Sequence, residues 1–205
     1  MIPYDKRSGK IWYNGELVDW SDVKVHVLSH GLHYASCVFE GERVYDGSIF
    51  KLEEHTSRLF YSAERMGMPK IDVTSHELII EKLVKKETSF IPNKIGCSMY
   101  IRPVMFGSEP TLQVRASREF IHFVLLSPVG PYFGNELNCI SIYIEQENIR
   151  AAYGGTGNVK TTANYAQSIQ TSEKVFKLGF DQVLWLDAIH KKYIEELSGM
   201  NIMFL

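Results

Sequence analysis

Cysteine is scarce in this 205-residue chain, and its three cysteines, Cys37, Cys97 and Cys139, lie far apart with no C-x-x-C pair. Their odd number and wide spacing argue against a disulfide framework and against a zinc knuckle. We therefore expect reduced thiols, as in a cytoplasmic protein, and no metal site.

Long hydrophobic runs are missing too. No segment approaches the roughly 18 consecutive apolar residues of a membrane span. The N-terminal stretch MIPYDKRSGKIWYNG is polar and charged where a signal peptide needs an apolar centre. We expect a cytoplasmic protein that does not bind membranes.

The chain also has no excess of positive charge. Its 22 Lys and Arg residues face 24 Asp and Glu residues, for a net charge of −2, so no basic field attracts nucleic acid. The content of 45% hydrophobic, 12% aromatic and 22% charged residues is typical of a globular protein. Small molecules are therefore the expected partners.

Strand-like and helix-like segments mix along the first two thirds of the chain. Asn14-Gly15 and Asp46-Gly47 each stand between strand-like runs and predict two hairpins. Residue spacing predicts helices over 52–66 and 75–86 and strands over 99–106 and 119–126. This mixture favours an α+β fold over regular βαβ alternation.

A domain boundary is predicted near SPVGPYFGN, where two prolines and two glycines interrupt the pattern. We expect an N-terminal α+β domain over 1–126, a linker over 127–137 and a partial C-terminal domain over 138–205. In the last of these, the pattern predicts a strand over 139–143, a helix over about 161–177 that Gly179 ends, and a strand pair in DQVLWLD and KYIEE.

The segment GGTGNVKTTANY places Lys160 between a glycine-rich loop and the start of a helix. A lysine there, five residues before Tyr165, suits a Schiff-base amine beside an anionic cofactor. A solvated surface charge is the ordinary alternative. A Walker loop is a poor match, because Asn158 and Val159 separate Gly157 from the lysine. A nucleotide-binding module stays open as a different class of function.

Three histidines, His26, His30 and His33, have a spacing that could ligate a metal if they lay on one helix. The preceding residues alternate like a strand, and we expect Gly31 to interrupt any helix through them. We therefore favour buried or hydrogen-bonded histidines.

Two strands predict a site for an anionic or apolar ligand. Alternation in MYIRP puts Tyr100 and Arg102 on one face, where a phenol and a guanidinium could bind a carboxylate. The alternative is a solvent face, on an edge strand because of Pro103. In VFEGERVY, Phe39 and Arg43 flank a glycine that leaves room for a ligand or marks a bulge.

Two further charged residues have a functional and an ordinary interpretation. Arg58 could bind a cofactor phosphate, or form an exposed i, i+4 pair with Glu54. Glu196 could hold a pyridine nitrogen protonated, or be a charge at the end of a strand.

Taken together, SHGLHYASCVFEGERVY, EEHTSRL, MYIRP, GNVKTTANY and YIEELSGMN resemble the branched-chain aminotransferases of the fold-type IV pyridoxal phosphate family. The resemblance spans nearly the whole chain and implies that family's α+β fold. It implies transamination of leucine, isoleucine and valine with 2-oxoglutarate by a ping-pong mechanism, with pyridoxal 5′-phosphate as the cofactor.

The resemblance also implies a role for particular residues. Lys160 matches the Schiff-base lysine, Tyr165 the tyrosine at the ring oxygen of the cofactor, Glu196 the partner of the pyridine nitrogen and Arg58 the phosphate arginine. The positions that match the substrate pocket are Tyr34, Phe39, Arg43, Tyr100, Arg102 and Tyr132. Arg102 is expected to receive the side-chain carboxylate of glutamate.

Alternatives of the same fold are a D-amino-acid aminotransferase and an aminodeoxychorismate lyase; an inactive fragment is a further one. Members of the family are longer, so we expect the 205 residues to be part of a longer enzyme. The resemblance implies a homodimer or higher oligomer, in which a loop near 108–114 closes the neighbour's pocket.

Overall fold

The computed structural model describes residues 3–131 and 139–205. The chain divides into two compact units, Met1–Glu136 and Leu137–Leu205. Tyr132, a predicted substrate residue, lies outside the described residues, as does most of the predicted linker 127–137. The predicted domain bounds stay a prediction.

The first unit is built on an antiparallel sheet. In chain order the elements are β1 (Lys10–Tyr13), β2 (Glu16–Asp19), α1 (His30–Tyr34), β3 (Cys37–Phe39), β4 (Glu42–Tyr45), β5 (Ser48–Ile49), α2 (Leu52–Arg65), α3 (Val73–Lys86), β6 (Ser98–Gly107) and β7 (Phe120–Val129). The strands of the sheet run in the order β2-β1-β7-β6-β4-β5, and β3 pairs with a further part of β6.

Both predicted hairpins are confirmed. Asn14 and Gly15 adopt φ angles of 45° and 106° and join β1 to β2. Asp46 and Gly47, with φ of 49° and 80°, join β4 to β5 in the same way. Positive φ at both central residues matches the twist of the flanking strands, which is why Asn-Gly and Asp-Gly favour such turns.

The core of the first unit lies between α3 and the sheet. Its buried residues come from one stripe of the helix and one face of β4, β6 and β7: Val44, Ile80, Leu83, Val84, Met99, Ile101, Val124 and Leu126. Asp72 is the N-cap residue just before α3, and its carboxylate accepts the Ser75 N–H at 2.7 Å. This N-cap satisfies one of the donors that a helix start leaves unpaired.

Two sequence expectations need correction here. The strand expected to end at Leu126 continues to Val129, which pairs with Ser98, so the first predicted linker residues belong to β7. The edge position suggested by Pro103 is wrong, because β6 is flanked on both sides. On one side of β6, the paired strand changes from β4 to β3 near Pro103. The Pro103 carbonyl accepts the Glu40 N–H at 3.0 Å there. The backbone N–H that proline lacks therefore falls in the gap between β4 and β3.

The second unit is a three-stranded sheet with one helix. It contains β8 (Ile142–Glu145), α4 (Thr162–Lys177), β9 (Gln182–Leu186) and β10 (Ile194–Leu197). Strands β8 and β9 are parallel with α4 as their crossover, and β10 is antiparallel to β9. Helix α4 and the strand pair agree with the sequence, whereas β8 begins at Ile142 instead of Cys139. Gly179, with φ of 89°, follows the end of α4.

The three histidines are hydrogen-bonded, as expected, but Gly31 does not interrupt helix α1. His30 Nδ1 lies 2.7 Å from Ser36 Oγ, and His33 Nε2 lies 3.0 Å from the Val27 carbonyl. Within residues 3–131 and 139–205, no group of three or more His, Cys, Asp or Glu side chains could hold a metal ion. No helix in the same ranges combines the length and apolar composition needed to cross a bilayer.

Candidate active site

Lys160 lies just before the start of α4, at the end of the glycine-rich loop. Thr161, which is fully buried, is the extended residue that precedes the helix. One turn into the helix, the Tyr165 hydroxyl accepts a hydrogen bond from Lys160 Nζ at 3.0 Å. The loop and the helix start therefore bring an amine and a phenol into direct contact.

Asn164 fixes the shape of this loop. Its side chain is nearly buried and its amide donates to the carbonyls of Thr156 and Val159, at 2.8 and 2.7 Å. Its Oδ1 accepts the Thr156 hydroxyl at 2.7 Å. Because three hydrogen bonds converge on one side chain of α4, the loop before Lys160 has a defined path.

Arg150 connects Tyr165 with Glu196. The Arg150 side chain is 8% exposed, and its Nη1 lies 2.6 Å from Glu196 Oε1 on β10. Its guanidinium carbon lies 5.7 Å from the centre of the Tyr165 ring. Lys160, Tyr165 and Glu196 are thus joined through contacts within the second unit, although no sequence motif assigned a role to Arg150.

Chemically, this group combines a nucleophilic amine, a phenol that holds it and a carboxylate beside a buried cation. An amine in this position can form a covalent link to a carbonyl compound. Glu196 is 42% exposed, so its carboxylate is accessible to a ligand. A carboxylate in such a place can hold a proton on a basic ring nitrogen.

Arg58 on α2 is held by a buried carboxylate in the first unit. Its Nε and Nη2 donate to the two Glu40 oxygens, at 2.5 and 2.8 Å, and Glu40 is fully buried. His55 Nδ1 lies 2.8 Å from the same carboxylate. The suggested pairing of Arg58 with Glu54 is wrong, since Glu54 pairs with Lys51. The Arg58 side chain keeps 52% exposure, so a guanidinium of fixed orientation remains accessible.

Five residues of the predicted substrate strands form one cluster. Alternation predicts that Phe39, Gly41 and Arg43 share one face and that Tyr100 and Arg102 share another. Strand pairing puts the two sets on the same side of the sheet. Arg43 pairs directly with Tyr100 across β4 and β6. The Tyr100 hydroxyl accepts a hydrogen bond from Arg102 Nη2 at 2.7 Å, and the Arg102 guanidinium lies 4.4 Å from the Phe39 ring centre.

The close approach of the Tyr100 side chain leaves room only for glycine at position 41. A Cβ on Gly41 would lie 2.3 Å from the Tyr100 hydroxyl oxygen and 3.0 Å from its Cζ. Burial raises the pKa of Tyr100, and the neighbouring Arg102 opposes that rise, so the hydroxyl stays protonated at neutral pH. Arg43 is oriented separately, because its Nη1 donates to Ser98 Oγ at 2.9 Å.

Arg102 retains a donor for a ligand. Its Nε is buried and has no acceptor within residues 3–131 and 139–205. A buried guanidinium nitrogen without an acceptor is unfavourable, and a carboxylate would supply one. This orphaned donor points to an anionic ligand at the cluster.

Tyr34 lies apart from the Arg102 contacts given above. It ends helix α1, and its hydroxyl donates to the Leu112 carbonyl at 2.6 Å. The loop near 108–114 is therefore tied to Tyr34 of its own chain. The loop is held further by Arg115, which is paired with Glu109 at 2.5 Å.

Sequence reasoning missed two residues of these groups. Glu40 and Arg150 resemble ordinary surface charges in the sequence. Their partners, Arg58 and Glu196, lie 18 and 46 positions away. The one signal for Glu40 in the sequence is its position next to Gly41, the glycine that leaves room for a ligand. Arg150 offered no comparable signal, because its role depends on the pairing of β9 with β10.

Comparison with protein families identifies the chain. The model of the family "Amino-transferase class IV" matches residues 37–205, which is more than half of the 205 residues. The chain belongs to the class IV aminotransferases. This confirms the predicted fold-type IV α+β fold. The family does not favour the nucleotide-binding alternative.

Individual relatives of this class IV aminotransferase carry more specific names. It is 42% identical over 214 residues to "Branched-chain-amino-acid transaminase 1" of Bacillus subtilis (strain 168). That alignment covers 100% of this chain and 59% of the relative. The chain thus spans less than two thirds of the length of this relative.

Solved structures give the same result for the fold. The branched-chain amino acid aminotransferase of Escherichia coli superposes with a TM-score of 0.81 at 30% identity, covering 94% of this chain and 64% of the other. The branched-chain aminotransferase of the archaeon Thermoproteus uzoniensis, solved with norvaline, gives a TM-score of 0.78 at 27% identity, covering 94% and 64%. A further branched-chain enzyme, complexed with N-(5′-phosphopyridoxyl)-L-glutamate, gives a TM-score of 0.77 at 28% identity, covering 94% and 62%.

Proposed function

We propose that this chain is part of a pyridoxal phosphate-dependent enzyme that transfers the amino group of leucine, isoleucine or valine to 2-oxoglutarate. The hydrogen bond of 3.0 Å between Lys160 Nζ and the Tyr165 hydroxyl, in a class IV aminotransferase, is the observation that carries the proposal. The names of the relatives favour branched-chain substrates over the D-amino-acid and lyase alternatives.

The residues present fit the cofactor. Lys160 offers an amine for the aldehyde, Tyr165 a hydroxyl beside that amine, and Glu196 an accessible carboxylate for a pyridine nitrogen. Arg58 is half exposed and oriented by Glu40, which suits a phosphate oxygen. When bound, pyridoxal phosphate supplies an aldehyde that condenses with amines and a ring that withdraws electrons.

Lys160 is the residue that moves the proton in this proposal. With the cofactor bound, the Lys160 amine would accept the proton from the substrate α-carbon and deliver it to the former aldehyde carbon of the cofactor, and it would make the opposite transfer in the second half-reaction. Tyr165 keeps Nζ close to one position through their hydrogen bond. Arg150 holds the Glu196 carboxylate in place through their ion pair.

The cluster of the first unit supplies substrate recognition. Arg102 Nε lacks an acceptor in the described part of the chain and is suited to the side-chain carboxylate of glutamate. The Phe39 ring beside it offers an apolar wall for a branched side chain. Tyr100 and Arg43 add polar groups for the α-carboxylate, and Tyr34 and Tyr132 stay predicted members of the pocket.

Covalent labelling tests the proposal directly. The protein is mixed with pyridoxal phosphate, reduced with borohydride and digested, and we expect the pyridoxyl group on the peptide that contains Lys160. Lys160→Arg should remove this label, whereas Lys177→Arg, an exposed position at the end of the same helix, should leave it. Labelling spread evenly over exposed lysines would sink the proposal.

Substrate choice is tested separately. Leucine, isoleucine and valine should each support glutamate formation from 2-oxoglutarate, and D-alanine should not. Turnover of D-alanine alone would identify the D-amino-acid enzyme instead. We also propose a cytoplasmic homodimer for the full enzyme, which sedimentation of that enzyme would test.

A further inference from the structure

One cavity of the first unit takes no part in the groups described above. It has a volume of about 380 Å³ and lies between the segment before β1, the end of α3 and the last residues of β7. Small-molecule sites usually measure about 300 to 1,000 Å³. The walls are mainly apolar and include Trp20, Phe90, Pro92, Met99, Leu126 and Pro128.

The cavity is separate from the Tyr100 and Arg102 cluster. Met99 and Leu126 belong to the core beneath α3. Because side chains alternate along a strand, Met99 lies on the face of β6 opposite Tyr100. A ligand that contacts Met99 therefore does not occupy the proposed substrate cluster.

Glu87 gives the cavity a specific chemistry. This residue follows α3, lines the cavity and is only 8% exposed. Its Oε1 accepts the Lys10 backbone N–H at 3.3 Å, while the Lys10 ammonium is 2.7 Å from Asp19 instead. Within residues 3–131 and 139–205, no cation lies at ion-pair distance from Glu87, and Oε2 has no hydrogen-bond donor.

A nearly buried carboxylate without a cationic partner is unfavourable unless a ligand supplies one. A strongly hydrated ion is a poor occupant, because its hydration shell would keep the apolar walls in contact with water. An ammonium group on a short hydrocarbon satisfies both the carboxylate and the walls. Arg7 also lines the cavity, where its guanidinium donates a hydrogen bond to Ser127 Oγ.

We propose that this cavity binds a small molecule with a primary ammonium group on a short apolar body. Free apolar amino acids and the matching alkyl amines are the two sources of that chemistry. The proposal goes beyond transamination, because it requires neither the cofactor nor Lys160. It adds a second place at which an apolar amino acid can bind to this enzyme.

Methyl NMR tests the proposal on the protein labelled with ¹³C-methyl methionine. The Met99 signal, assigned with Met99→Leu, should shift on titration with L-leucine and with 3-methylbutylamine, which has no carboxylate. It should not shift with 4-methylpentanoate, which has no ammonium group. Tighter binding of leucine would identify amino acids as the natural source, and tighter binding of the amine would identify alkyl amines.

Two variants make the test specific. Glu87→Gln should weaken the binding of both amines by about tenfold or more, the usual effect of losing a charged hydrogen bond. Glu81→Gln, at an exposed position of α3, should bind them as the wild type does. If Glu87→Gln does not fold, Cys97→Phe, which fills the cavity and keeps its charges, should remove the Met99 shift.

The outcomes separate this proposal from the proposed function. In Lys160→Ala the Met99 shift should persist, although pyridoxyl labelling is lost. A Met99 signal that does not move, equal binding of 4-methylpentanoate, or unchanged affinity in Glu87→Gln would each overturn the cavity proposal and leave the labelling of Lys160 intact.

Discussion

Arg150 Nη1 lies 2.6 Å from Glu196 Oε1, and the two partners differ in burial. The Arg150 side chain is 8% exposed and that of Glu196 is 42% exposed. Water can therefore solvate the carboxylate if the cation is removed, but it reaches the guanidinium poorly if the carboxylate is removed. Loss of Glu196 should therefore destabilise the folded protein more than loss of an ordinary surface carboxylate would.

Glu196→Gln is expected to lower the free energy of unfolding by about 1 to 3 kcal/mol, since it leaves a buried charge without its counterion. Urea denaturation followed by circular dichroism measures the change. The adjacent Glu195→Gln is the matched control, because Glu195 is exposed and makes no ion pair in the described part of the chain. It should change stability by less than about 0.5 kcal/mol.

Glu196→Gln should also slow transamination far more than it weakens cofactor binding, if Glu196 interacts with the pyridine nitrogen. Single-turnover rates and cofactor titration of the enzyme give the two quantities. Comparable losses in both would contradict that role and leave only the structural one.

Gly41→Ala is predicted to displace Tyr100. The new Cβ would lie 2.3 Å from the tyrosine hydroxyl, which Arg102 holds by a hydrogen bond. We expect a loss of about 1 to 3 kcal/mol in stability, typical of overpacking, and a higher KM for 2-oxoglutarate. Gly130→Ala is the control, since no atom of residues 3–131 and 139–205 lies within 4 Å of its added Cβ. Equal stability of the two variants would show that Tyr100 moves at no cost.

Much of the fold follows from local signals in the sequence. The hairpin turns at Asn14-Gly15 and Asp46-Gly47 are set by residues that tolerate positive φ, and the helices by apolar spacing. The ends of strands were less predictable. Proline and glycine after Ser127 suggested a linker, but pairing with β6 extends β7 to Val129. Pairing with a distant strand is not a property of the local sequence.

Some residues of the candidate site can likewise be predicted from local sequence, and others cannot. Alternation placed Tyr100 and Arg102 on one face, because strand geometry alone decides this. The roles of Lys160, Tyr165 and Arg58 are implied by the family resemblance and stay predictions. Glu40 and Arg150 were not predicted, because each acts through an ion pair with a residue that is distant in the sequence and adjacent only in the folded chain.

Asn164→Ala tests whether the loop before Lys160 depends on the helix. The substitution removes three hydrogen bonds to Thr156 and Val159. The Val159 carbonyl loses the donor that Asn164 supplies, whereas the Thr156 carbonyl keeps the Val159 N–H at 2.9 Å. We expect a loss of about 2 to 3 kcal/mol and weaker pyridoxyl labelling of Lys160. Gln170→Ala, an exposed amide on the same helix, is the control and should change neither. Normal labelling in Asn164→Ala would show that the loop holds its path without this side chain.

Glu42 is predicted to make the protein less stable as the pH rises. Burial, and then the charges of Glu40 and Glu77, raise the pKa of Glu42 from 4.5 to about 8. The folded state therefore keeps the Glu42 proton between about pH 4.5 and 8, whereas the unfolded chain releases it. The stabilisation is complete below the lower value and is lost as the pH approaches the upper one.

Two histidines act in the opposite direction. Burial lowers the pKa of His76 to about 4 and that of His122 to about 3, and their rings stack at 5.0 Å. Both stay neutral in the folded state, so their contribution is lost as the pH falls from 6.5 toward these values. Stability should therefore decline on both sides of a maximum.

Glu42→Gln separates the two effects, because glutamine keeps the shape of the protonated side chain and cannot ionise. Relative to the wild type, we expect the variant to gain about 2 to 4 kcal/mol in unfolding free energy between pH 5 and pH 8.5, while the decline at acid pH persists. Urea denaturation at both pH values measures this, with Glu81→Gln as the exposed control. A difference between variant and wild type that is the same at the two pH values would show that Glu42 is ionised in the folded protein.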